Sequence, residues 1–393
     1  MELRGLHRAI SRSGATIFVG GIVFLALAIG VTWHRMDRLE NTVERLDRTI
    51  TALLASQDSA LAPISPLLLD YELDLPGRGE IFPALVSSGA PDYWPVAVLR
   101  ITNTSNRPVA QTIWTEIPDW SRITEHTVVV APRETIQHSV VLDLLPRAYT
   151  NSEIRQVMLS VRALGPDGDV LFAQSRPVLM HSGSEIYWGR RFANSQMAAR
   201  WVTPHDPDVL DLIARARAYI SRGRMAGYSG ATGDSKAIAR HTRAQASAIF
   251  RALQKSGISY VSSLFVMGEY IGQAQRLRLP GETLRLNSAN CMDVTLVFAS
   301  AMENLGMEPL VVIVPSHAFA GVRLGRGSED ILYLDLTVLP KGSFESAAAR
   351  AQNWLRKTPK EEVLTVDIAS TRLLGVYPLV QEGWSENPTP ATE

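Results

Sequence analysis

Only one cysteine, Cys291, occurs in the 393-residue chain, and this excludes an intrachain disulfide. The redox compartment stays open, because a reactive thiol works on either side of a membrane. No set of histidines and cysteines has zinc spacing. Neither charge is in excess, since Lys+Arg and Asp+Glu both number 39. That balance argues against a nucleic-acid surface, and no nucleic-acid partner is expected. The Gly-rich stretch GYSGATGDSK (227–236) lacks the GxxxxGK[ST] spacing and follows no strand, so it reads as a loop and not a phosphate site. No cofactor and no metal is expected. What remains is a chain with 46% hydrophobic and 20% charged residues, enough for two or three domains with sizeable cores.

Around the single thiol the chain is patterned for nucleophilic chemistry. Asn290 is a good helix N-cap, and Asp293 stands where a capping box places its acid. Val294, Val297, Phe298, Ala301 and Leu305 recur at helical spacing, and Gly306 supplies a stop. This predicts a helix opened by Cys291. A thiol in the first turn lies at the positive end of the helix dipole, which favours thiolate. Pro309 to Val314 reads as a buried strand. His317 to Leu324 and Ile331 to Thr337 read as two more, joined by the loop GRGSED. A hairpin centred near Arg326 sets His317 opposite Asp335 on one face of the sheet. The imidazole then has a carboxylate behind it and a thiol before it, as an activated cysteine nucleophile requires. Taken singly, a buried Cys, a core His and a strand-end Asp are commonplace. Their joint order and placement carry the reading. Asp293 is assigned to capping and not to the triad. Arg276 and Arg278 read as solvated loop charges in preference to a site for an acidic substrate.

Cys, His and Asp in this order, on helix, strand and strand, resemble the transglutaminase-like cysteine peptidase superfamily. The matching segments are CMD at the helix start, SHAFAGV and LYLDLT. A narrower likeness covers roughly residues 68–380. There WGRRFANSQMAARWVTPHDPDVLDLIARA (188–216), MAGYSG (225–230), GQAQRLRLP (272–280), CMDVTLVFASAMENLG (291–306), PSHAFAGVRL (315–324) and VLTVDIASTRLLGVYPL (363–379) follow in one order. That order is similar to the amino-terminal region of large bacterial proteins in which a sandwich domain and a Cys-His-Asp module precede a nucleic-acid helicase. This chain departs from them by an apolar N-terminal run, the lack of a helicase, and Ala289-Asn290 where Gly-Thr is expected. The resemblance implies an α+β transglutaminase-like (papain-like) module. It also places Gln275 shortly before the nucleophile helix as a second oxyanion donor, beside the Cys291 backbone N–H. A surface glutamine, or one bonded to its own loop, is the other reading of Gln275.

The remaining chain divides by pattern. Residues 1–14 form a polar tail, and 15–33 are 19 residues without a charge, the length of one membrane-spanning helix. A signal peptide cleaved after Ala26-Leu27-Ala28 competes with an uncleaved anchor, which is preferred because the apolar run continues past it. Met36, Leu39, Val43, Leu46, Ile50 and Leu53 form a heptad seam within 34–55. That seam reads either as a juxtamembrane coiled coil making a homo-oligomer or as a single amphipathic helix. Residues 56–67 read as a linker. From 68 to 182 short alternating strands separated by turns predict an immunoglobulin-like β-sandwich. Residues 183–380 form the catalytic module, and 381–393 a disordered tail. The expected protein is a single-pass inner-membrane thiol hydrolase (peptidase or amidase) of bacterial type; an amine as acceptor in place of water would make it a cross-linking acyltransferase, and the sequence does not choose. Its body lies on the periplasmic side and acts on a protein or peptide. The alternative is a membrane-tethered scaffold that uses the same module only to bind a peptide.

Overall fold

The computed structural model describes residues 68–76, 79–86, 96–230, 234–261 and 274–379. The expected anchor at 15–33, the heptad helix at 34–55, the linker at 56–67 and the tail at 381–393 all lie outside the described residues. Among the described residues, no helix is long and apolar enough to cross a membrane.

Two sheets face each other across one core in the first half of the chain. Leu69–Asp74, Ala97–Asn103 and Thr135–Val140 form a three-stranded antiparallel sheet. Glu80–Ile81, Val170–Met180, Arg155–Leu164, Val109–Glu116 and Thr124–Val130 form a five-stranded one, antiparallel except for its short edge strand Glu80–Ile81. Period-two burial makes them. Val109–Glu116 alternates strictly, and its inward Ile113 shares one core with Leu159 and Val161 of the adjacent strand and Leu99 and Ile101 of the facing sheet. The Gly-Pro-Asp-Gly turn closes the longest hairpin, with Gly168 at φ +82°, a conformation that glycine adopts without strain.

The second half is built on a four-stranded antiparallel sheet ordered Ile331–Leu334, His317–Arg323, Pro309–Val314, Leu364–Asp367. Across its middle strands lies the helix Cys291–Asn304. The expected apolar stripe is present, yet every residue from Cys291 to Met302 is buried. Val294, Val297, Phe298 and Ala301 face a core shared with the long helix Ser235–Lys255. Cys291, Met292, Leu296 and Ala299 face a second core. The two hydroxyl residues on the way are satisfied locally: Thr295 and Ser300 donate back to the carbonyls four residues earlier, at 2.7 and 2.8 Å. A helix enclosed on both faces is a rigid mount for its first residue.

The two halves share an apolar layer. Phe82, Ala84 and Leu85, from the sandwich stretch, pack with Trp188, Met197, Trp201 and Cys291 of the second core. At the crossing, Gly183 donates its N–H to Asn151 O at 2.8 Å, and Ser182 Oγ donates to the same carbonyl at 3.0 Å. A Cβ at Gly183 would fall on the carbonyl of Tyr149. Gly183→Ala is therefore expected to displace backbone and cost about 1–3 kcal/mol, the usual range for overpacking. Urea unfolding checks this; an unchanged midpoint would mean that the crossing is loose.

Candidate active site

The nucleophile helix starts on a complete capping box. Asn290 Oδ1 accepts from Asp293 N at 2.8 Å, and Asp293 Oδ2 accepts from Asn290 N at 3.2 Å. Asp293 does more than cap. Its Oδ1 accepts the Arg278 N–H at 3.1 Å, and the Arg278 guanidinium stands 3.7 Å from Oδ2 and donates to Ser288 O at 3.0 Å. Arg278 is thus a brace, and the expectation of a solvated loop charge is corrected. Arg276, 57% exposed and 3.8 Å from Glu282, is closer to that expectation. Burial raises the Asp293 carboxyl above the usual carboxylate range, and the Arg278 and Asn290 N–H groups and the Arg278 charge pull it back only in part.

His317 begins its strand after a two-residue turn in which Val314 pairs with His317. Ser316 takes φ +62° there, a left-handed conformation that an L-residue holds at some cost. Asp335 ends the next strand and caps a short 3₁₀ turn: its Oδ1 accepts from the Thr337 N–H at 3.1 Å and hydroxyl at 2.6 Å. The hairpin is centred on Gly327, one residue past Arg326, since Ala320 pairs with Leu334 and Arg323 with Ile331, so His317 and Asp335 are not directly opposite. The physical reason lies in the loop, where Gly327 adopts φ +63° and Ser328 N–H bonds Gly325 O at 3.1 Å. A shift of two residues in the pairing keeps side chains on their face. Asp335 therefore reaches His317 diagonally, and Nε2 meets Oδ2 at 3.0 Å.

That contact leaves Nδ1 free of Asp335, and the Cys291 thiol lies close enough to the ring to raise its pKa. All three groups are buried: Cys291 at 4% exposure, His317 at 6% and Asp335 at 0%. Burial alone would lower the imidazole pKa. The hydrogen bonds and charges of Asp335 and Cys291 outweigh it and push the ring up to about 9. Burial also works against the Asp335 carboxylate, but the His317 and Thr337 bonds hold it below the usual range.

The structure adds two residues that sequence reasoning missed, both on the helix Phe344–Lys357. Trp354 stacks on the imidazole, with ring centroids 4.8 Å apart and 30° between planes, and its indole N–H donates to Asp335 Oδ2 at 3.2 Å. Arg350 Nε lies 2.9 Å from the same oxygen. The only sequence signal was their spacing of four, which puts both on the helix side that carries buried Ala347 and Ala351.

Gln275 sits on the short strand Ala274–Arg276, paired with Glu185–Tyr187. Its Oε1 accepts from Trp188 Nε1 at 2.8 Å, which turns the amide so that its NH₂ points away from the indole. Trp188 belongs to the same apolar cluster as Cys291. A shallow depression of about 10 Å³ is lined among others by Tyr260, Ala289, Leu336, Thr337 and Pro340, on the elements that flank Cys291 and Asp335 in sequence. Among the described residues, no three His, Cys, Asp or Glu side chains are grouped to hold a metal ion.

The raised imidazole sets a pH dependence of stability. The folded value near 9 exceeds the ordinary 6.5, so the folded state binds the extra proton. The His317 contribution is thus complete below pH 6.5 and is lost as pH rises through about 9. Unfolding free energies measured across that window should fall in the wild type and fall less in His317→Ala; parallel curves would refute the pairing.

In comparison with known proteins, the chain matches no family model, no curated protein and no solved structure.

Proposed function

We propose that the chain is a membrane-anchored thiol hydrolase, a peptidase or amidase of transglutaminase-like kind with a Cys291-His317-Asp335 triad. One observation carries this reading: His317 is hydrogen-bonded at 3.0 Å to a fully buried carboxylate and lies within interaction range of a helix-opening thiol. In the proposed reaction His317 takes the thiol proton and the Cys291 sulfur attacks an amide carbonyl carbon. The resulting oxyanion is met by the Cys291 N–H, which as a first-turn donor has no intrahelical acceptor. Gln275 is proposed as the second donor, through its NH₂. His317 then protonates the leaving amine, the C–N bond breaks and a thioester remains. Water, deprotonated by His317, releases the acid and returns the thiol. Asp335 keeps the ring oriented throughout. The anchor at 15–33 and a body on the periplasmic side belong to the proposal as the sequence reads them.

A second reading is favoured by a specific observation. Cys291 is only 4% exposed, and the shallow depression at Tyr260, Leu336 and Thr337 does not have it among its lining residues. A tethered scaffold that binds a peptide at the rim, without chemistry, fits that enclosure.

Proteomics of N-termini and isopeptides in cells carrying wild type or Cys291→Ala separates the two. The enzyme reading predicts protein N-termini that vanish in the variant; identical profiles would assign the scaffold. With a cleaved substrate in hand, Asp335→Ala is expected to lower kcat by roughly 10²–10⁴-fold, the range of a general acid–base contribution, with a much smaller change in KM.

A further inference from the structure

Asp335 receives more donors than one imidazole requires. Oδ2 alone faces His317 at 3.0 Å, Trp354 at 3.2 Å and Arg350 at 2.9 Å. Trp354 and Thr337 already orient the carboxylate, so a cation is not needed for geometry. The Arg350 side chain is 53% exposed while Asp335 is 0% exposed. It spends Nε on Asp335 and has no other ion pair or hydrogen bond among the described residues. With its side chain half exposed, the guanidinium keeps donors that a ligand can reach, in the fork geometry that matches a carboxylate.

Tyr260 stands at the same rim. Its short strand runs parallel to Ser288–Ala289, pairing Tyr260 with Ala289, two residues before the nucleophile. The side chain is 43% exposed and lines the depression with Thr337 and Pro340. The hydroxyl titrates above its ordinary range, chiefly through burial and then through the negative charges of Cys291 and Asp335, with Arg350 opposing. It is thus within electrostatic reach of thiol, carboxylate and guanidinium together.

Charge makes the consequence specific. With thiolate, imidazolium and the Asp335 carboxylate alone, the centre carries one net negative charge and repels an anion. Arg350 brings it to neutrality, and its half-exposed side chain keeps donors to offer. We propose that Arg350 and Tyr260 form a carboxylate-recognition subsite at the rim of the Cys291 centre, so that the acyl donor is a peptide with an acidic group beside the reacting amide. This rests on the acyl-transfer reading and names its substrate class.

The single cysteine allows a test without knowledge of the substrate, because every alkylation event reads Cys291. Iodoacetate and iodoacetamide are near-isosteric and differ in charge. Each replaces iodide at the same carbon by the thiolate sulfur. Second-order rates are measured for both reagents on the full chain as wild type, Arg350→Gln and Arg350→Lys. The expected ratio of iodoacetate to iodoacetamide rates falls roughly threefold to tenfold in Arg350→Gln, the size of one exposed charge interaction, and is largely kept in Arg350→Lys. An arginine that only positions Asp335 would change both rates together and leave their ratio alone, and that result overturns the subsite while the nucleophile stands. Rates no faster than those of free cysteine with either reagent would instead sink the acyl-transfer reading, and the subsite with it.

Discussion

A carboxylate without solvent exposure has to be compensated by donors, and Asp335 obtains them from three separate elements. The 3₁₀ turn after its own strand supplies Thr337, the neighbouring strand supplies His317, and the helix Phe344–Lys357 supplies Trp354 and Arg350. Removing any one of these elements leaves buried charge uncompensated, which proteins tolerate poorly. The same compensation that keeps Asp335 ionised fixes the plane of the imidazole, and the plane of the imidazole fixes where a proton can be handed to Cys291. Stability and the proposed chemistry therefore draw on one set of contacts.

The nucleophile is held by a different device. Its helix is enclosed by two apolar cores, and its start is fixed by the Asn290–Asp293 box. Asp293 also grips Arg278, two residues beyond the strand that carries Gln275. The loop with the amide donor and the helix with the thiol are thus indexed to each other through one buried acid. The sandwich contributes Phe82 and Leu85 to the same core. It reaches the site through packing and, among the described residues, adds no chemical group to it.

Much of this was legible from residues. The capping box and helical spacing after Asn290 mark the nucleophile helix because both depend on neighbours within one turn. The strands around His317 and Asp335 were legible from apolar runs and a Gly-rich loop. The hairpin register was not, since a single glycine conformation at Gly327 decides which residues pair. The face survived the error because side chains alternate with a period of two. Arg350 and Trp354 were invisible as partners of Asp335. They lie 15 and 19 residues away in sequence, and only the docking of a helix on a strand end brings them in. Arg278 looked like a surface charge for the same reason: its acceptor, Asp293, arrives from a separate element. Resemblance to a peptidase superfamily drew attention to Gln275. The bond from Trp188 that orients its amide is a tertiary fact that no motif records.

The central claim is that one imidazole is shared between Cys291 and Asp335. Nitrogen-detected NMR titration of the His317 ring, in wild type and in Cys291→Ala, measures it directly. A protonated ring that persists to about pH 9 in the wild type and titrates lower once the sulfur is removed is the predicted result. Identical titrations in the two proteins, near the ordinary histidine value of about 6.5, would contradict it.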